Sequence, residues 1–213
     1  MSLPDYWEHA TRELASRDNV FAKLVTRYEG LALGTRGDAF STLARAIVGQ
    51  QISVKAAQSV WNRLVAEVGT VAPANLLGTD LATLRSCGLS GQKSGYLLDL
   101  AERFASGALD PSRWDALDDE ALIVELTQVK GIGRWTAEMF LIFHMARPDV
   151  LPLDDIGLQR AMGLHYNAGR PLSKLKMRRI AKAWAPWRSV ATWYLWRSLD
   201  PLSPATDNGS ANS

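Results

Sequence analysis

Two adjacent aspartates, Asp154 and Asp155, end the short loop Leu151–Asp155, which contains a proline. An ionised carboxylate can stabilise positive charge that develops in a transition state, and it can orient water or accept a proton from it. Adjacent aspartates in front of a helix are more often helix caps or part of a solvated turn. The residues alone do not show which aspartate has which role, since one can cap the following helix while the other faces a cleft.

A second segment, residues 126–137 (LTQVKGIGRWTA), joins two predicted helices through a turn with glycine at alternate positions. Gly131 and Gly133 can take positive φ and let another backbone approach closely. Their amides, with the free N–H groups of the next helix, form an anion cradle that Lys130 and Arg134 flank with positive charge. Such a cradle binds nucleic-acid backbone rather than bases. The alternative is an ordinary helix–helix turn in which the glycines only end the first helix, and spacing alone weighs the two equally.

Helical patterns dominate the chain and supply the elements that must position these residues. Asp18, Asp38 and Ser53 each precede an apolar stretch with helical periodicity, as N-caps do. The predicted helices cover residues 4–16, 20–28, 39–48, 54–68, 80–87, 90–104, 118–126, 134–146, 155–163, 173–184 and 187–198. Alternation of period two is almost absent, so the predicted fold class is all-α, without a sheet.

Two short breaks, 30–37 and 107–111, predict two helical lobes. The central lobe is expected at 36–112. The second lobe is expected to combine 1–35 with 113–200 and to contain the two helices joined by the glycine turn (118–146) and the loop with the paired aspartates (151–156). Residues 201–213 are small and polar, and we expect a flexible tail there.

Composition excludes several classes of protein. The single cysteine, Cys87, excludes a disulfide framework and a cysteine-ligated iron–sulfur cluster, and the three histidines have no metal-binding spacing. No apolar run is long enough to span a membrane, and the first residues lack the features of a secretory signal. The net charge of +2 excludes a blanket of positive charge but permits a local basic face.

Four blocks in order carry a family resemblance: AIVGQQIS at 46–53, VKGIGRWTA at 129–137, LPLDD at 151–155 and WAPWR at 184–188. The chain resembles the helix-hairpin-helix (HhH-GPD) superfamily of base-excision glycosylases, and within it the 3-methyladenine DNA glycosylase II family. The resemblance implies two helical lobes with the active site in the cleft between them. It also implies the compact form of the family, since the chain is too short and too helical for the N-terminal sheet subdomain of full-length relatives.

By this resemblance, the chain is a monofunctional DNA glycosylase that starts base-excision repair. It flips alkylated bases such as 3-methyladenine and 7-methylguanine out of the duplex and hydrolyses their N-glycosidic bonds. Asp155 is the implied catalytic carboxylate, which stabilises an oxocarbenium-like transition state. Branches that also cut the strand carry a lysine at the position of Trp135, so no strand cleavage is expected.

The resemblance assigns further roles by position. Trp135, Met139 and Trp196 line the base pocket, although core packing is the alternative for each. Gln51 inserts into the gap left by the flipped nucleotide, the alternative being an exposed loop glutamine. The residues implied in phosphate binding are Lys130, Gly131, Gly133, Arg134 and Thr136. The backbone carbonyls of Thr127, Val129 and Ile132 are the implied ligands of a structural Na⁺ or K⁺ ion, and no other cofactor is expected.

The expected partner is double-stranded DNA that contains damaged bases. We expect the protein to bind it as a monomer and expect no association with a membrane. The expected location is with chromosomal DNA, in the cytoplasm of a bacterium or the nucleus of a eukaryote. Two alternatives stay open. One is a glycosylase for deaminated or oxidised bases, and the other is a non-catalytic hairpin protein that binds DNA, which leaves the placement of Asp155 unexplained.

Overall fold

A computed structural model describes residues 3–34 and 37–200, and every regular element in these ranges is helical, which confirms the predicted all-α class. The α-helices are α1 (Trp7–Arg17), α2 (Asn19–Arg27), α3 (Ala39–Gly49), α4 (Val54–Val68), α5 (Pro73–Leu77), α6 (Leu81–Ser86), α7 (Gly91–Ala105), α8 (Asp119–Leu126), α9 (Arg134–Phe143), α10 (Ile156–Tyr166), α11 (Lys174–Ala181) and α12 (Arg188–Arg197). Two 3₁₀ helices lie at Pro111–Ala116 and Lys182–Trp184. None of the described helices is long and apolar enough to cross a membrane.

The predicted N-caps form in the structure. The Asp18 carboxylate accepts a hydrogen bond from the Val20 amide at 2.8 Å, and Asp38 and Ser53 cap α3 and α4 in the same way. Each cap satisfies a backbone amide that has no partner within its helix. The N-cap of α9 is Gly133, which has no side chain to do this.

Some helix ends differ from the prediction. Helix α9 ends at Phe143 rather than at residue 146, because Ala146 has a left-handed backbone (φ +51°) that no helix continues. The segment predicted as one helix over 173–184 divides into α11 and a 3₁₀ turn. The short helices at Pro73–Leu77 and Pro111–Ala116 were not predicted, since five or six residues show too little periodicity.

The first compact unit contains the described residues of Ala32–Pro152, together with 3–5. Its core includes a row of edge-to-face aromatic contacts, in which the Trp114 ring lies 6.0 Å from Phe104 and 5.5 Å from Phe140. The Trp114 indole also donates a hydrogen bond to Glu125 at 2.8 Å. These contacts join α7, α8 and α9, so the hairpin lies in this unit. The boundary falls near Pro152 instead of near residue 112.

The second compact unit combines Tyr6–Leu31 with the described residues that follow Pro152. Helix α12 packs on α1, α2 and α10, and residues 189–195 are all buried. Trp7 contacts both Trp193 and Tyr194, and Phe21 contacts Trp184 edge-to-face. The second unit therefore takes its core from both ends of the chain. The tail predicted at 201–213 lies outside the described residues.

Candidate active site and hairpin

Asp155 is the N-cap of α10, and its side chain is held on one oxygen by two donors. The Oδ1 atom accepts hydrogen bonds from the Leu158 amide at 2.6 Å and from the Trp196 indole Nε1 at 2.7 Å. Only 9% of Asp155 is exposed. One donor comes from its own helix and the other from α12, so the orientation of the carboxylate is fixed by two elements of the second unit.

Gly157 makes the contact between Asp155 and Trp196 possible. A Cβ atom at position 157 would lie 3.0 Å from Trp196 Cδ1 and 3.1 Å from Asp155 Oδ1. A side chain there would push the indole away from the carboxylate. Sequence reasoning did not identify Gly157, and the available signal is a glycine two residues after a capping aspartate.

The neighbouring aspartate has a different environment. Asp154 is exposed and forms an ion pair with Lys174 on the first turn of α11. The structure therefore distinguishes the two aspartates that the residues alone left equivalent. Asp155 is the buried carboxylate that accepts two hydrogen bonds, and Asp154 connects the loop to α11 through its ion pair with Lys174.

The hairpin between α8 and α9 depends on Gly131. This residue has φ +83°, and a Cβ atom there would lie 2.1 Å from the Tyr96 ring. Both the left-handed backbone and the ring therefore require glycine. Gly133 does not use the same freedom, because its φ is −90° and the space around it is open.

Side chains from other helices hold the hairpin and the loop after α3. Gln50 Nε2 donates to the Gly131 carbonyl at 2.7 Å, and Asp99 Oδ2 accepts from the Lys130 amide at 3.0 Å. Lys93 Nζ donates to the carbonyls of Val48 and Gln50 at 2.8 and 2.6 Å. No local pattern in the sequence identifies Gln50, Lys93 or Asp99, since each acts across at least 31 residues of chain.

Burial affects two of these supporting groups. It lowers the pKa of Lys93 below the usual lysine value. Burial opposes ionisation of Asp99, but hydrogen bonds from the Lys130 amide and the Arg103 side chain outweigh it and lower the Asp99 pKa. Asp99 is therefore a charged anchor for the hairpin.

The residues predicted to bind phosphate are not equally available. Arg134 donates to both oxygens of Glu120 at 2.7 Å and to Glu138 at 3.0 Å, and these carboxylates raise its pKa despite partial burial. A phosphate would have to compete with two carboxylates for this guanidinium. Lys130 is exposed, with its Nζ 3.7 Å from Asp99 Oδ1. Thr136 is half-buried in the first turn of α9, whose start has no side-chain cap.

Three further predicted site residues lie in the first unit. Trp135 is 48% exposed on the first turn of α9, and Met139 is half-buried one turn later on the same side of the helix. Gln51 is exposed in the loop between α3 and α4 and has a left-handed backbone (φ +58°), which is unusual for a residue other than glycine. Trp196 differs from these three residues, because its indole N–H donates a hydrogen bond to Asp155 Oδ1.

The described residues contain no group of three or more His, Cys, Asp or Glu side chains that could hold a metal ion. The cation predicted at the hairpin would use backbone carbonyls instead. The Val129 carbonyl accepts a hydrogen bond from the Ile132 amide at 3.1 Å, and a carbonyl has a second lone pair for a cation.

Comparison with known proteins agrees with this arrangement. Residues 44–186 match the family described as "HhH-GPD superfamily base excision DNA repair protein". The chain is 35% identical over 181 residues to DNA-3-methyladenine glycosylase 1 of Schizosaccharomyces pombe, across 83% of this chain and 79% of that protein.

Two solved structures are also similar. The crystal structure of a DNA-3-methyladenine glycosidase from Bacillus halodurans superposes with a TM-score of 0.84 at 33% identity, covering 93% of this chain and 92% of the other. The 3-methyladenine DNA glycosylase of S. pombe, solved in complex with abasic DNA, gives a TM-score of 0.77 at 31% identity, covering 89% and 96%.

Proposed function

Because the chain belongs to the HhH-GPD superfamily of base excision DNA repair proteins, we propose that it is a DNA glycosylase that hydrolyses the N-glycosidic bond of alkylated bases. The observation that carries the proposal is the buried Asp155 carboxylate at the start of α10, held by the Leu158 amide and the Trp196 indole. Relatives named as 3-methyladenine glycosylases cover most of the chain and support the choice of substrate.

The chemistry suits one carboxylate. Alkylation at N3 or N7 of a purine makes the base cationic, so it leaves with the electrons of the C1′–N bond and needs little protonation. Positive charge develops on the deoxyribose, where Asp155 stabilises it. Water then adds to C1′ and loses a proton to Asp155. The products are a free base and an abasic site.

Other residues hold the DNA and the base. The hairpin amides and Lys130 bind phosphate, which sets the position of the duplex without reading its sequence. Thr136 extends this contact, and Arg134 joins it if phosphate displaces Glu120. Gln51 occupies the gap left by the flipped nucleotide. Trp135 and Met139 provide the surface for the base, since an aromatic face attracts a cationic ring. Trp196 positions Asp155.

Some features of the proposal follow from the family position of single residues. Trp135 stands where strand-cleaving branches have lysine, so the enzyme is monofunctional. The backbone carbonyls of Thr127, Val129 and Ile132 would hold a Na⁺ or K⁺ ion, which would supply positive charge for phosphate binding. The enzyme acts as a monomer. Because its substrate is duplex DNA, it acts in the compartment that contains the chromosome.

The test is a panel of duplex oligonucleotides with alkylated, deaminated or oxidised bases, treated with the wild type and with Asp155→Asn. Asparagine is also a good N-cap, so the fold is kept while the charge is lost. We expect the wild type to release alkylated purines and leave abasic sites. The variant should bind DNA but release the base at least roughly 100-fold more slowly.

Asp154→Asn is the matched control, because it removes the same charge one residue away, and it should keep most of the activity. Excision by Asp155→Asn at the wild-type rate would exclude the assigned mechanism. Release of deaminated or oxidised bases only would change the substrate class. Duplex binding without any abasic product would indicate a non-catalytic DNA-binding protein.

A further inference from the structure

The sequence after the catalytic loop has a strong charge bias. From Ile156 to Leu199 there are nine arginine and lysine residues and no aspartate or glutamate, although the whole chain has a net charge of only +2. The remaining residues therefore have a net negative charge. Positive charge is concentrated in the part of the chain that follows Asp155.

Helix α11 collects much of this charge on its exposed side. Met177 and Ala181 are buried and set the inner side of the helix. The basic face, as we define it here, consists of the exposed residues Lys176, Arg178, Arg179 and Lys182. Lys182 lies in the 3₁₀ turn that continues α11.

The basic face has no acidic partner within the described part of the chain, where no ion pair involves any of its four side chains. Arg134 and Arg147, by contrast, are both paired with carboxylates. Like charges three and four residues apart on a helix repel one another. A polyanion that binds there relieves this repulsion and releases its own counterions.

The basic face is attached to the catalytic loop. Lys174, on the first turn of the same helix, forms the ion pair with Asp154, the residue before Asp155. Both belong to the second unit, whereas the hairpin belongs to the first. Anchoring α11 therefore also anchors the loop that carries the catalytic carboxylate.

We propose that the basic face binds the phosphate backbone of duplex DNA. This contact is separate from the one at the hairpin, and it holds the duplex on the second unit, which carries Asp155. This inference rests on the proposed function, because it requires DNA as the partner. Phosphate contacts of this kind give affinity and position but no sequence preference.

The experiment measures binding of the full chain to a duplex with an abasic-site analogue over a range of NaCl concentrations. The test variants are K176A/R179A and K176A/R178A/R179A/K182A. We expect weaker binding, with the slope of log K against log[NaCl] reduced by about 0.9 for each phosphate contact removed. R178K/R179K keeps the charge and should keep the wild-type slope.

The matched control is K23A/R85A, which also removes one lysine and one arginine, both exposed and outside the basic face. A test variant with the same slope as this control would overturn the inference. So would a loss of binding to anionic vesicles or to RNA while the DNA slope stays at the wild-type value. If the wild type excises alkylated bases but the test variants keep the wild-type salt slope, this inference fails and the proposed function stands. If the wild type excises no base, the proposed function is rejected instead.

Discussion

At the scale of single residues, the site combines a predictable position with contacts that no local pattern reveals. The paired aspartates before α10 predict a helix cap, but only the structure shows that Asp155 is the cap and only the family resemblance selects it for catalysis. The Trp196 donor is 41 residues away in sequence, so its contact with Asp155 depends on how α10 packs on α12. Gly157 is required only because that contact exists.

Replacement of Trp196 by phenylalanine tests the positioning of the carboxylate. Phenylalanine keeps an aromatic ring but removes the N–H that donates to Asp155 Oδ1. A lost hydrogen bond to a charged group is worth about 1.5–3 kcal/mol, so base release should slow roughly 10-fold or more in single-turnover assays. Trp193→Phe is the control on the same helix, because Trp193 packs on Trp7 and should affect stability more than rate. Equal rates for wild type and Trp196→Phe would show that the indole N–H does not position Asp155.

Gln51 should show opposite effects on stability and on activity. Its left-handed backbone costs about 1 kcal/mol that glycine does not incur, partly offset by the greater freedom of glycine in the unfolded chain. Gln51→Gly should therefore unfold at the same urea concentration or a higher one, while base release slows because the side chain that we propose to fill the gap is missing. Ala168→Gly, at φ +50°, is the control for the backbone effect without the loss of activity. Unchanged excision by Gln51→Gly would reject the role of the side chain in base flipping.

At the scale of elements, most helices could be predicted from periodicity and caps, whereas the tertiary contacts that hold them in place could not. The caps Asp18, Asp38 and Ser53 could be predicted from the sequence because capping is local. The hairpin could be read from its glycines. Its attachment to Gln50 and Asp99 could not, because tertiary packing alone brings those side chains to the turn.

The two hairpin glycines should respond differently to alanine. Gly131→Ala places a Cβ against the Tyr96 ring and holds alanine at positive φ, so we expect a loss of at least about 2 kcal/mol in the free energy of unfolding. Gly133→Ala meets open space at φ −90° and should change it by less than about 1 kcal/mol. Urea denaturation of both variants measures the difference. Similar losses for the two would mean that the turn is not constrained as described.

At the scale of the whole molecule, the two-part organisation could be predicted but its boundary could not. Glycine-rich breaks in the sequence place the division near residue 112. The aromatic contacts of Trp114 hold α8 and α9 with the preceding helices and move the division to Pro152. Aromatic packing partners are not specified by spacing, so the sequence contained no signal for this boundary.

Acid should weaken the fold partly through His165. Burial, and then the charge of Arg27, lower the His165 pKa below its usual value of 6.5, while Asp18 acts in the opposite direction. The imidazole contacts Ser198 Oγ at 2.8 Å. Since the unfolded chain takes up the proton first, stability falls as the pH falls from about 6.5 to the folded-state pKa.

Urea denaturation between pH 8 and pH 5 measures this dependence. His165→Gln cannot take up the proton, so its free energy of unfolding should decrease less steeply over the same pH range. Parallel curves for the variant and the wild type would show that His165 does not contribute.

The pairing of α12 with α1 and α2 also determines the order in which the protein can be completed during translation. Residues 32–152 leave the ribosome together and can fold at once. The first two helices must wait through that interval with their apolar sides uncovered, until α12 emerges more than 150 residues later. The unit that carries Asp155 is therefore the last to form on a nascent chain, and a chain released before α12 contains the hairpin but lacks the Trp196 indole that donates to the Asp155 carboxylate.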